Sequence, residues 1–177
     1  MGYPGGERGR AAGRTAGMNQ VHPIPPVFDR FSTVLVLGSF PSVQSRQGMF
    51  FYHHPQNRFW KVMAAVFNCP VPETVEQKRD MLLRCHVALW DVIASCDIEG
   101  SSDASIRRAV PNDLSPVLEC APIKRVFCNG STAHRLYRIH QLERTGLEAV
   151  RLPSTSPANA AWSLSRLVDA WSVVNLT

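Results

Sequence analysis

Thr33-Val34-Leu35-Val36-Leu37-Gly38-Ser39-Phe40-Pro41-Ser42 is the stretch on which the fold turns. Its first half is a continuous apolar, β-branched run. A strand covered on only one face would alternate apolar with polar, so an unbroken run predicts a parallel strand buried on both faces. The run stops at a Gly-Ser-Phe-Pro-Ser turn signal. Three later segments repeat this arrangement. Residues 87–93 (Val-Ala-Leu-Trp-Asp-Val-Ile) form a second strand, 125–128 (Arg-Val-Phe-Cys) a third that ends at Asn129-Gly130, and 148–152 (Glu-Ala-Val-Arg-Leu) a fourth that ends at Pro153.

Helical spacing fills the gaps between these strands. Over residues 58–67, Phe59, Val62, Met63, Val66 and Phe67 share one face, and Pro70 to Pro72 end that helix. Residues 74–84 make a second helix, with Thr74 as N-cap and Gln77 three positions on, the signature of a capping box. Residues 114–120, 131–142 and 162–173 read as further helices, with Ser131 or Thr132 capping the second of these three. Residues 96–113 and the stretch up to residue 55 read as polar loop, with a short helix near Ile106. Strands alternating with helices predict an α/β fold: a three-layer α/β/α sandwich around a mainly parallel four-stranded sheet. Ligands of such sheets bind beyond the carboxyl ends of the strands. The expected pocket therefore lies where residues 38–42, 91–95, 129–130 and 153–159 meet.

Length and composition agree with one domain. The chain has 177 residues, 45% hydrophobic and 19% charged, enough to bury a core and too apolar for a disordered chain. Residues 1–20 read as a disordered Gly/Arg-rich extension and 21–177 as a single domain. The net charge is +5, with sixteen Arg against three Lys. Arginine suits phosphates and bases, and a GC-rich genome also favours it; the count does not choose between these. No apolar run reaches the roughly 18 residues of a membrane span. The five Cys include no Cys-x-x-Cys pair, which argues against zinc and iron–sulfur sites and fits a reducing cytoplasm. Cys69, Cys120 and Cys128 sit beside apolar residues and read as core.

The chemistry-bearing residues are few. Dinucleotide, phosphate-loop and nucleophile-elbow motifs are all missing. Adjacent His53 and His54 point in different directions and do not make a metal pair. Asp91 is the one carboxylate at a strand end and reads as a polar contact that anchors its loop. Segment 50–60 (Phe-Phe-Tyr-His-His-Pro-Gln-Asn-Arg-Phe-Trp) crowds aromatics around amides just before a helix. That is the composition of a base-binding site, where a flat ring stacks on a nucleobase and amides read its edge. Phe59 and Trp60 are assigned to the core, which leaves Tyr52 and Asn57 for the site.

Four blocks carry a resemblance: residues 38–42 (Gly-Ser-Phe-Pro-Ser), 51–60 (Phe-Tyr-His-His-Pro-Gln-Asn-Arg-Phe-Trp), 126–130 (Val-Phe-Cys-Asn-Gly) and 152–159 (Leu-Pro-Ser-Thr-Ser-Pro-Ala-Asn). Together they resemble the uracil-DNA glycosylase superfamily, most closely its hypoxanthine-DNA (DNA-deoxyinosine) glycosylase branch, over about residues 30–173. The mismatch-specific uracil-DNA glycosylases look like more distant relatives.

The resemblance implies a monofunctional DNA glycosylase of base-excision repair. Such an enzyme flips a deaminated base from DNA, hypoxanthine favoured and uracil second, and hydrolyses its N-glycosidic bond through an oxocarbenium-like sugar. Asn57 would position the water through its amide oxygen, because Phe40 stands where the mismatch-specific relatives place a water-binding Asn. Tyr52 would stack on the base. The backbone of Gly38, Ser39 and Phe40 would approach the base closely, and Asn129 would read its edge. Ser154, Ser156, Pro157, Ala158 and Asn159 would form the loop that enters DNA, with Ala158 or Asn159 as wedge. Residues 101–105 resemble the same branch and would line the pocket, while Arg46, Arg58, Arg107, Arg108 and Lys124 are candidate phosphate contacts. The implied partner is DNA containing deaminated bases. The enzyme would act as a monomer in the cytoplasm at the nucleoid, with no membrane, metal or cofactor. Two alternatives stay open: mismatch-specific uracil excision, or a non-catalytic nucleic-acid-binding domain of the same fold. A third, unrelated reading is an α/β hydrolase of a small molecule.

Overall fold

The computed structural model describes residues 18–175. The expected disorder of residues 1–17 lies outside them. Seven strands and seven helices are described: β1 (Asn19–Val21), β2 (Val34–Gly38), α1 (Val43–Gly48), α2 (Phe59–Val66), α3 (Val75–Arg84), β3 (Val87–Asp91), β4 (Ile93–Asp97), β5 (Arg107–Pro111), α4 (Ser115–Cys120), β6 (Arg125–Asn129), α5 (Ser131–His140), α6 (Leu142–Thr145), β7 (Ala149–Leu152) and α7 (Leu164–Trp171).

The central sheet has the order β3-β2-β6-β7, and every pairing is parallel. The expected four-stranded α/β sheet is therefore present. The quoted run is its axis: all five residues of β2 are buried. Alternate side chains of β2 enter different halves of the core. Val34 and Val36 pack with Phe59, Val62, Met63 and Leu82 of α2 and α3 and with Leu167 and Trp171 of α7. Leu35 and Leu37 pack with Val117 of α4, with Leu136 and Tyr137 of α5, and with Ile93 and Cys96 of β4. This two-sided burial makes three layers.

Several local features depart from expectation. The segment read as one strand over 87–93 is two, β3 and β4. Val92 donates its N–H to the Gly38 carbonyl (2.8 Å), which turns the chain out of the main sheet. β4 then pairs antiparallel with β1 and β5 in a second, three-stranded sheet. So the region expected as loop over 96–113 contains the end of β4, a 3₁₀ turn at Asp103–Ser105 and β5. Asn19 and Gln20, placed in the disordered extension, pair with Asp97 and Cys96 within β1. Short α1 interrupts the loop expected before Pro55.

The helices follow their patterns more closely. Phe59, Val62 and Met63 face the core from α2, and the Thr74–Gln77 capping box is formed. The N-cap of α5, however, is Gly130 at φ 95°, not Ser131 or Thr132. A Cβ at 130 would meet the Ser154 Cβ at 3.2 Å, so backbone geometry and loop approach both select glycine. Cys128 is buried as expected, Cys69 is half-buried, and Cys120 is exposed near the end of α4.

Candidate base-binding site

The carboxyl ends of β2, β3, β6 and β7 converge on one cavity of about 780 Å³. All eleven residues singled out from the sequence line it: Gly38, Ser39, Phe40, Tyr52, Asn57, Asn129, Ser154, Ser156, Pro157, Ala158 and Asn159. Ser101, Ser102 and Asp103 line it too, from the loop after β4. The Ser39 hydroxyl donates to Asp103 (2.8 Å) and ties that loop to the end of β2.

Segment 51–60 explains itself residue by residue. Tyr52 sits at φ 51°, in the left-handed region. The ring stacks on Phe59 at 4.1 Å between centroids, so a core aromatic backs the platform. The Tyr52 hydroxyl is buried without a hydrogen-bond partner among the described residues. Burial, and then the nearby charge of Asp91, push its pKa well above the ordinary phenol range. It stays protonated. Trp60 anchors the segment by donating its indole N–H to the Phe51 carbonyl (3.2 Å).

Asn57 and Asn129 lie far apart in the chain and are joined by Thr155. The Thr155 hydroxyl donates to Asn57 Oδ1 (2.9 Å) and accepts from Asn129 Nδ2 (2.9 Å). The Thr155 backbone N–H donates to Asn129 Oδ1 (3.0 Å). Asn57 Oδ1 also accepts from the Phe59 N–H (2.9 Å), which holds it at the start of α2. Two donors thus fill the amide oxygen. The expectation that Asn57 orients water through that oxygen is corrected: the group left open is its Nδ2. Asn129 keeps one oxygen lone pair unused, and its second N–H faces the Tyr52 hydroxyl. Thr155 was missed at the level of sequence, where it reads as one small polar residue in a turn. Its complete burial is the signal, and only the fold shows it.

Arg58 is also corrected. It is not a phosphate contact, because its guanidinium donates to the carbonyls of Trp162, Ser156 (3.1 Å) and Asn159 (3.0 Å) and so holds the loop after β7. Arg46 is spent on the Pro41 carbonyl (2.7 Å), Arg107 on Ala104 and Ile106, and Arg108 on Asp97. The exposed cation that does line the cavity is Arg151, on β7. Within the loop, the Ser154 and Ser156 hydroxyls accept from the N–H groups of Ser156 (3.1 Å) and Ala158 (3.2 Å). Each keeps its own proton to donate. Asn159 folds back, donating to the Ser154 carbonyl (2.9 Å), so the exposed apex is Pro157 and Ala158.

Asp91 does not anchor its own loop through its carboxylate. It reaches His22 in the lead-in segment between β1 and β2, Nε2 to Oδ2 at 2.7 Å. The adjacent histidines diverge, as expected: His54 lines the cavity, whereas the His53 ring packs where a Cβ of Gly48 would lie. Among the described residues no helix is long and apolar enough to cross a membrane.

Comparison with known proteins gives consistent matches. A family model for the uracil DNA glycosylase superfamily matches residues 25–175. The chain is 33% identical over 152 residues to a hypoxanthine DNA glycosylase of Methanosarcina acetivorans, covering 85% of this chain and 94% of that one. It is 32% identical over 150 residues to a hypoxanthine DNA glycosylase of Methanosarcina barkeri, covering 84% and 93%. A solution NMR structure of a uracil DNA glycosylase candidate from M. acetivorans superposes with a TM-score of 0.76 at 31% identity, covering 89% of this chain and 98% of that one.

Proposed function

This chain belongs to the uracil DNA glycosylase superfamily, and we propose that it excises hypoxanthine from DNA as a monofunctional glycosylase, with uracil as a second substrate. The observation that carries the reading is the Asn57–Thr155–Asn129 chain set beside a Tyr52 platform backed by Phe59. A flipped base stacks on Tyr52. Asn129 offers one acceptor, which matches the N1–H of hypoxanthine. Uracil presents a like N–H, which is why it is the second substrate.

Cleavage of the N-glycosidic bond places positive charge on the sugar and negative charge on the departing base. The Asn57 Nδ2 holds the water by donating to it. Pro157 and Ala158 fill the gap that the flipped nucleotide leaves, while the Ser154 and Ser156 hydroxyls contact backbone phosphates. Among the described residues no lysine lines the cavity, which favours direct hydrolysis over an imine intermediate. On this reading the enzyme acts at the nucleoid.

Duplexes carrying one deoxyinosine, deoxyuridine or deoxyxanthosine test the reading. Alkali-revealed nicking at deoxyinosine is the expected result. It should persist in EDTA and fall sharply in Asn57→Ala. Lesion binding without nicking would make the chain a non-catalytic binder, and neither outcome would leave the small-molecule hydrolase.

A further inference from the structure

The His22–Asp91 pair has no part in the chemistry above, yet it lies at the cavity floor. Asp91 ends β3 in register with Gly38 of β2 and lines the cavity. A Cβ at residue 38 would collide with Asp91 Oδ1 and sit 3.0 Å from the Tyr52 hydroxyl. The carboxylate therefore occupies the space that glycine vacates, next to the aromatic platform. Its side chain is 5% exposed and that of His22 is 2% exposed.

The protonation of His22 follows from its partners. Its Nδ1 accepts the Ile24 N–H (3.1 Å), so that nitrogen carries no proton. Nε2 then holds the ring's proton and donates it to Asp91 Oδ2. The imidazole is neutral, and the pair as a whole is an anion. Rings of Phe40, Phe51 and Trp90 close around His22, with centroids at 5.9, 6.2 and 6.2 Å. No Lys or Arg pairs with Asp91 among the described residues. An anchor for the lead-in segment needs only an amide at this position, and a carboxylate buried without a cation is costly. Such a group is expected where the reaction itself brings positive charge.

We propose that Asp91, oriented by His22, is the catalytic carboxylate of this cavity; the proposal rests on the glycosylase reading. The C1′–N9 bond breaks and its electron pair leaves with the base. Asp91 Oδ1 stabilises the cationic sugar. Water then bonds to C1′, and one of its O–H bonds breaks as the proton passes to Asp91 Oδ1, a transfer the Asn57 amide cannot accept. Asp91 returns that proton to the purine anion, which leaves as neutral hypoxanthine.

Asp91→Asn tests this, because an amide oxygen still accepts from His22 and keeps the anchor. Wild-type protein must first nick deoxyinosine DNA; if it does not, the glycosylase reading fails and Asp91 is not at issue. With that activity in hand, single-turnover cleavage by Asp91→Asn should fall about 100-fold or more. Affinity for a duplex bearing an uncleavable deoxyinosine analogue should stay within about threefold, since the lost transfer belongs to the transition state. Cleavage within tenfold of wild type, or a loss expressed wholly as weaker binding, overturns the proposal. Should Asp91→Asn not fold, Asp91→Ala with added formate decides: restored turnover supports the catalytic role, and no restoration overturns it.

Discussion

Thr155→Val isolates the residue that joins the two site amides. Valine keeps the shape and replaces only the hydroxyl with a methyl. Two hydrogen bonds are lost, to Asn57 Oδ1 and from Asn129 Nδ2, while the backbone bond to Asn129 Oδ1 survives. At about 1 kcal/mol net for each buried bond, the fold should lose about 2 kcal/mol. For a chain of this length that is a fall in Tm of about 4–8 °C. Activity should suffer more than stability. Asn57 keeps only the Phe59 N–H to hold its oxygen, and Asn129 keeps only the Thr155 N–H. A misplacement of about 1 Å in such groups costs on the order of 100-fold in rate. Thermal unfolding and single-turnover cleavage of deoxyinosine DNA measure the two effects. Thr155→Ser keeps the hydroxyl and should stay within a few-fold of wild type in rate. If Thr155→Val cleaves as fast as wild type, or if Thr155→Ser is equally impaired, the hydroxyl does not position the site.

Four other outcomes follow from the geometry. Arg58→Lys replaces a fork that reaches three loop carbonyls with a single ammonium, so cleavage should fall and proteolysis within residues 154–162 should rise; an unchanged digest would show that the loop is held otherwise. Gly38→Ala drives a methyl into a carboxylate pinned by His22, and should cost about 1–3 kcal/mol on chemical denaturation. Tyr52→Ala should weaken lesion binding by about 1–3 kcal/mol without greatly changing the affinity for undamaged duplex, as read by fluorescence anisotropy. Cys128, whose thiol burial pushes up to about 12, should resist iodoacetamide at pH 8, because the thiolate is the reacting form, whereas exposed Cys120 should alkylate.

Much of this could be read from residue order alone. The run at 34–37, apolar at every position, is a strand covered on both faces, and β2 lies at the centre of the sheet with helices on one side and helices plus β4 on the other. The capping box at Thr74 and the core face of α2 are local patterns and formed as written. The cavity-lining residues were legible because small and polar residues cluster where apolar strands stop. The second sheet was not legible. β1 is short and largely polar, β5 opens on two arginines and ends on a proline, and β4 continues an apolar run, so their pairing depends on partners far apart in the chain.

The four residues of the Asn57–Trp60 stretch show where the division falls. From sequence, Phe59 and Trp60 belong to the core and Asn57 to the candidate site; in the structure the two aromatics are buried and Asn57 lines the cavity. Arg58 looks like any basic residue near DNA; tertiary structure turns its charge inward to the loop carbonyls. The same holds for Thr155, for the filled oxygen of Asn57 and for the His22–Asp91 pair. Periodicity and turn chemistry act between neighbours a few residues apart, so the sequence determined the sheet, the helices and the ends of strands at which a ligand would sit. Hydrogen bonds that span 69 or 98 residues depend on the folded path between their ends. The tertiary structure therefore decided which atoms of those residues remain free to act.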